Sequence, residues 1–157
     1  MNSRSFTAVI ATPVGRLGLV LDAQYIVGLS WLSRQHALVP APTRHARAIC
    51  TALSDYFDCA DNFPRLPLKL SGSDFQLKVW AAMQEIPTGS TVSYGGLAAI
   101  LNTSSRAVGQ ACRSNPVAVL VPCHRVVSAR GIGGYMGKAK QLNIKQWLLE
   151  HEGASVC

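Results

Sequence analysis

The sequence predicts a mixed α/β (α+β) protein of two lobes: an N-terminal antiparallel sheet covered by a helix, and a C-terminal helical lobe holding a helix-turn-helix. Three observations predict it. Apolar residues alternate between Phe6 and Leu32, a helical period takes over from Thr43, and after Gly72 the pattern changes to short, capped helices. At 157 residues and 48% hydrophobic, the chain is long enough for one sizeable core or two small lobes.

The elements follow in order. "FTAVIA", "RLGLVLD" and "YIVGLSWL" read as strands, broken at Pro13-Val14-Gly15 and Asp22-Ala23-Gln24, and connections this short make the pairing antiparallel. Thr43 caps a helix whose Ala46, Ile49, Cys50, Leu53, Tyr56 and Phe57 share one face, which covers the sheet. "RLPLKLSG" alternates at Leu66, Leu68 and Leu70 and leads out of the lobe, so the domains are expected at 1–72 and 73–157. Ser73-Asp74-Phe75-Gln76 is a capping box opening a helix through Phe75, Val79, Met83 and Ile86, stopped by Pro87 and Gly89. A second helix spans 93–101. Asn102-Thr103 turns it into a third, "SSRAVGQACRS", that ends before Asn115-Pro116. The last helix carries Leu142, Ile144, Trp147 and Leu148 and stops at Gly153.

A formal charge of +7, from 15 Lys and Arg against 8 Asp and Glu, points to a polyanionic partner such as nucleic acid. No apolar run approaches the ~20 residues of a membrane-spanning helix, and the apolar stretch in "MNSRSFTAVIATP" is too short for a signal peptide. A soluble, intracellular protein without a membrane partner is expected. The five cysteines, Cys50, Cys59, Cys112, Cys123 and Cys157, are odd in number and form no C-x-x-C pair, which fits a reducing compartment. Neither they nor the four histidines stand at a familiar zinc-ligand spacing, so no metal and no cofactor are expected.

On the third helix Val108, Ala111 and Cys112 point one way, while Arg106, Gln110 and Arg113 share another face. That face is either solvated or set against phosphates. Ser104, Ser105, Ala107 and Gly109 favour the second reading, because small side chains allow a helix backbone to approach a groove closely. "VLVPCHRVV" places Cys123, His124 and Arg125 in a row inside an apolar segment. Burying the two polar groups costs several kcal/mol unless each is partnered, and Pro122 bends the chain at the thiol. In a regular strand Cys123 and His124 would point to opposite faces, so their cooperation requires a bend or a bridging water. A histidine serving as base also needs a third group to orient it. Glu152 is the candidate, with Glu150 as its competitor.

"NPVAVLVPCHRVV", taken with "SYGGLAAI", "RAVGQACRSNP" and "WLLEHEG", resembles the O6-alkylguanine-DNA alkyltransferases over roughly Phe75 to Gly153. The resemblance implies a ribonuclease H-like N-terminal lobe and a monomeric, cytoplasmic DNA-repair enzyme acting on double-stranded DNA that contains O6-alkylguanine. An alkyl group on guanine O6, or on thymine O4, would pass irreversibly to Cys123, once per molecule, from a nucleotide flipped out through the minor groove. By the same resemblance His124 takes the thiol proton through a water, and Glu152 orients it. Tyr94 donates to guanine N3, and Arg106 fills the space the flipped base leaves. Ser104, Ser105, Ala107, Gly109, Gln110 and Arg113 would lie along the DNA, with Gln110 bulkier than is usual there. Asn115 ties the recognition helix to the active-site segment. The carbonyls of Cys123 and Val126 would accept from the guanine amino group, Tyr135 and the Met136 amide would wall the pocket, Ala118 would stand beside bulky alkyl groups, and Arg125 would be structural. "YMGKAKQLNIKQW" is longer than in many relatives, and the zinc of some relatives has no ligand set here. A cysteine hydrolase, a binding-only lesion sensor and a transcription regulator are the competing readings.

Overall fold

The computed structural model describes residues 5–136 and 141–153. The central part of the long segment after Tyr135 and the terminal Cys157 lie outside those residues. The chain divides into two compact units, Met1–Leu70 with Pro116–Ala118, and Ser71–Asn115 with Val119–Cys157. The division falls two residues before Gly72. The three-residue return of Pro116–Ala118 to the first unit has no signature in the sequence.

In the first unit β1 (Ala8–Thr12), β2 (Gly15–Asp22) and β3 (Tyr25–Leu32) form an antiparallel sheet in sequence order. Leu17 pairs with Trp31 and Leu19 with Leu29, so the predicted alternation sets one buried face. Helix α1 (Arg44–Asp58) starts at Thr43, whose side chain accepts from the Ala46 amide, and buries Ala46, Ile49, Leu53, Tyr56 and Phe57. Phe57 meets Trp31 of the sheet edge to face at 6.1 Å. Leu68 bridges Ile26, and Val117 bridges Leu29, each in parallel.

The second unit is built on helices. Ser73 and Gln76 complete the predicted capping box at α2 (Asp74–Gln84), which buries Val79, Trp80 and Met83. Phe75, read from periodicity as part of the buried face, is instead 36% exposed, because it stands in the first turn ahead of the packed segment. Trp80 Nε1 donates to the Ala111 carbonyl at 2.9 Å and locks α2 onto α4 (Ser105–Arg113). Helix α3 (Tyr94–Leu101) is capped by Ser93 and stops at Asn102, which adopts the left-handed conformation (φ 55°, ψ 53°) that asparagine tolerates. The Thr103 amide returns to the Ala98 carbonyl, and Ser104 then caps α4 by accepting from Ala107. The helix-turn-helix thus follows from three adjacent polar residues. Val92–Ser93 (β4) and Val126–Val127 (β5) pair in parallel, a two-residue ladder too short to leave a periodic signal. Helix α5 (Leu142–His151) closes the unit. Among the described residues no helix is long and apolar enough to cross a membrane.

Ser73→Ala removes the cap that satisfies an α2 amide. The expected loss is about 1 kcal/mol of unfolding free energy, read from urea titrations of the two proteins.

Candidate active site

Pro122 sets the geometry of the site. At φ −81° and ψ 65° it forms an inverse γ-turn in which the Cys123 amide donates to the Val121 carbonyl at 2.8 Å. Cys123–Arg125 then make one 3-10 turn, and the chain enters β5 at Val126. The segment is therefore not a strand through the thiol, and the alternation that would have set Cys123 and His124 on opposite faces does not apply. The approach is strained, since buried Val119 sits at φ 72°, which a β-branched residue adopts only where its surroundings over-determine it.

Cys123 is 2% exposed. Asn115, buried just beyond α4, donates through Nδ2 to the Val121 carbonyl at 2.8 Å and to Cys123 Sγ at 3.3 Å. The thiol in turn points to Met136 Sδ at 3.4 Å. Burial pushes the thiol up to about 11, while the Asn115 bond and the Lys145 charge pull it back. Cys123 rests as a thiol at neutral pH, so it needs a base to become nucleophilic.

An imidazole able to act as one is adjacent in the chain. Fully buried His124 places Nε2 3.0 Å from Glu152 Oε2, and burial holds its basicity below the ordinary histidine value despite the carboxylate. A neutral ring that donates Nε2–H to Glu152 leaves Nδ1 as an acceptor. Nδ1 is buried and has no hydrogen-bond partner among the described residues. Arg125 forks onto the same carboxylate, Nε to Oε1 at 2.9 Å and Nη2 to Oε2 at 2.8 Å. Its remaining donors reach the Ile86 carbonyl at 2.7 Å and Thr88 Oγ1 at 3.1 Å. Glu152 is the carboxylate of the site. Glu150 is exposed and accepts from Gln146 instead.

A cleft of about 740 Å³ is lined among others by Tyr94, Arg106, Cys112, Tyr135 and Met136, the last of which meets the Cys123 thiol. Tyr94 donates to the Gly134 carbonyl at 3.2 Å, and burial raises its hydroxyl to about 12, so it is a proton donor throughout the physiological range. Gly133 is required beneath it: at φ 75°, an added Cβ would lie 2.9 Å from the tyrosine ring. Arg106, Gln110, Arg113, Ser104 and Ser105 are exposed on or beside α4, Ala107 is half-buried, and a Cβ at Gly109 would meet nothing within 4 Å. This face is open and basic. Tyr135 is buried against the cleft. The Val126 carbonyl already accepts from Lys145 at 2.7 Å and keeps one lone pair for another donor.

Two predicted or overlooked positions differ from expectation. Ala118 is fully buried in the first unit, its amide bonded to the Leu29 carbonyl, and it does not line the cleft. Lys145 was not singled out by sequence reasoning, although a lysine between Ile144 and Leu148 on an otherwise apolar helical stripe was the available signal.

The family model for the DNA binding domain of 6-O-methylguanine DNA methyltransferase matches residues 74–154. The methylated-DNA-protein-cysteine methyltransferase of Salmonella typhimurium is 37% identical over 92% of this chain and 93% of its own. The chain belongs to the methylated-DNA-protein-cysteine methyltransferase family. These are DNA-repair alkyltransferases, and the α+β fold agrees with that membership. The O6-methylguanine methyltransferase of Mycobacterium tuberculosis superposes with a TM-score of 0.77 at 35% identity, covering 92% of this chain and 90% of that one. The structure of the Mycobacterium tuberculosis protein in complex with DNA superposes at 0.75 with 36% identity and the same coverage.

Two measurements follow from the buried charges. Arg125→Met strands the Glu152 carboxylate and is expected to cost about 3–5 kcal/mol of stability in urea. His124 is held neutral in the fold and titrates near 6.5 in the unfolded chain, so its contribution is complete above ~6.5 and is lost as pH falls below it. The urea midpoint should decline on acidification from that point, and less so in His124→Asn.

Proposed function

We propose that this protein repairs double-stranded DNA by moving an alkyl group from guanine O6 to Cys123, once per molecule. The observation that carries this reading is the buried Asn115–Cys123 contact beside the His124–Glu152–Arg125 chain. His124, through a water at Nδ1, takes the thiol proton. The thiolate attacks the alkyl carbon, the sulfur–carbon bond forms, and the carbon–O6 bond breaks with its electron pair left on the base. Tyr94 moves its hydroxyl from Gly134 to guanine N3 and stabilises that charge, and the proton held by His124 neutralises the base. A thioether has no hydrolytic exit, so each chain acts once.

Substrate access is supported by the helix-turn-helix. Ser104, Ser105, Ala107 and Gly109 let α4 settle close to the backbone, Arg113 and Gln110 meet it, and Arg106 takes the place of the nucleotide flipped through the minor groove. Asn115 couples the end of α4 to the thiol. Tyr135 and Met136 wall the base, and the free lone pair of Val126 receives its amino group. Alkylated thymine O4 presents the same leaving atom to the same thiolate. The protein works as a monomer.

The test is intact-protein mass after incubation with a duplex carrying one O6-methylguanine. One added methyl per chain, saturating at one and absent in Cys123→Ser, is the expected result. Repeated turnover with no added mass would instead mark a hydrolase, and an untouched lesion a sensor.

A further inference from the structure

The thiol of Cys123 and the cleft are not continuous in the resting structure. Met136 lines the cleft together with Tyr94, Cys112 and Tyr135, whereas Cys123 is not among the lining residues. Two groups close over the thiol: Asn115 Nδ2 at 3.3 Å and Met136 Sδ at 3.4 Å. Only one of them is free to leave. Asn115 is buried and tied through the same nitrogen to the Val121 carbonyl at 2.8 Å. Met136 is half-buried and carries an unbranched side chain with freely turning bonds. Its backbone lies at φ 52°, in the left-handed region that a residue other than glycine enters only where its surroundings favour it.

The contact has a chemical consequence. A displacement at carbon requires the reacting atoms to approach to ~3–3.5 Å in line with the breaking bond. Met136 Sδ already stands at that separation from Sγ and receives its S–H, so the thioether and an incoming alkyl carbon compete for one place. While the thiol donates to Met136, its proton is not directed toward His124. A small free electrophile fills little of a cleft of about 740 Å³ and does not move the side chain. A base seated between Tyr94 and Tyr135 fills the space beside Met136 and turns the thioether aside.

We propose that the Met136 side chain is a removable cover on Cys123, making the thiol selective for alkyl groups carried by a base that fills the cleft over free electrophiles of similar reactivity. The inference rests on Cys123 being the acceptor. Entry of the base then does two things at once: it opens the approach to Sγ and releases the S–H from the thioether.

Met136→Ala removes the cover, and Met136→Leu keeps one of similar volume. Each protein is reacted with iodoacetamide, where the Cys123 sulfur displaces iodide and its proton passes to solvent, and separately with a duplex carrying one O6-methylguanine. Peptide mass spectrometry reads Cys123 apart from the other cysteines. The ratio of the iodoacetamide rate to the duplex rate should rise on the order of tenfold in Met136→Ala, the worth of one sulfur contact, and Met136→Leu should restore the protection. An unchanged ratio in Met136→Ala, whether both rates hold or both fall, overturns the cover. If that variant does not fold, the Cys123→Ser protein decides by NMR of the Met136 methyl group. Its signal should move when the O6-methylguanine duplex binds, and an unmoved signal overturns the proposal. Wild-type protein that takes no methyl at Cys123 from the duplex would instead sink the acceptor assignment, leaving the iodoacetamide rates to decide the cover.

Discussion

The buried carboxylate of Glu152 is the constraint on which the site depends. It accepts from His124 and, by a two-pronged fork, from Arg125, while Arg125 reaches on to Ile86 and Thr88. One anion at the end of α5 thereby fixes the active turn, the histidine tautomer and the connection between α2 and β4. Buried ion pairs of this kind add little net stability relative to a well-packed apolar core, yet breaking one is costly. Their effect here is specification: each alternative placement of α5 or the active turn would leave a charge without partners.

The electrostatics of the site keep its nucleophile in reserve. Burial opposes ionisation of Cys123 and protonation of His124 at once, so the resting pair is neutral. A neutral thiol is poorly reactive toward oxidants and stray alkylating agents. Asn115 and Lys145 work against that burial without reversing it.

The face of α4 is constructed on a different principle. Its buried side is anchored by Val108, Ala111 and the Trp80 bond to the Ala111 carbonyl, whereas its outer side carries two arginines among small residues. Rigid backing with a thin surface is what a helix entering a groove requires. The cap at Ser104 and the left-handed Asn102 fix the angle between α3 and α4 by local chemistry alone.

Much of this was legible in the sequence. The alternation of β1 to β3, the caps at Thr43 and Ser73, and the separation of Val108 from Arg106 on α4 follow from periodicity and from polar residues at helix ends, both local properties, whereas the capping roles of Ser93 and Ser104 came only with the structure. The buried cluster was partly legible too, because a thiol, an imidazole and a guanidinium in an apolar run demand partners, and Glu152 was the candidate for one of them. What the tertiary structure alone decided is where those partners come from. The Arg125 fork spans from residue 125 to 152 and 86, the Asn115 bond from a helix end to a thiol, and Lys145 binds two carbonyls supplied by separate segments. The inverse γ-turn at Pro122, the exposure of Phe75, the seclusion of Ala118 and the two-residue ladder of β4 with β5 were also settled there. Local sequence encodes which groups must be satisfied, but only packing brings distant donors and acceptors within 3 Å, because that distance depends on how every intervening element is stacked.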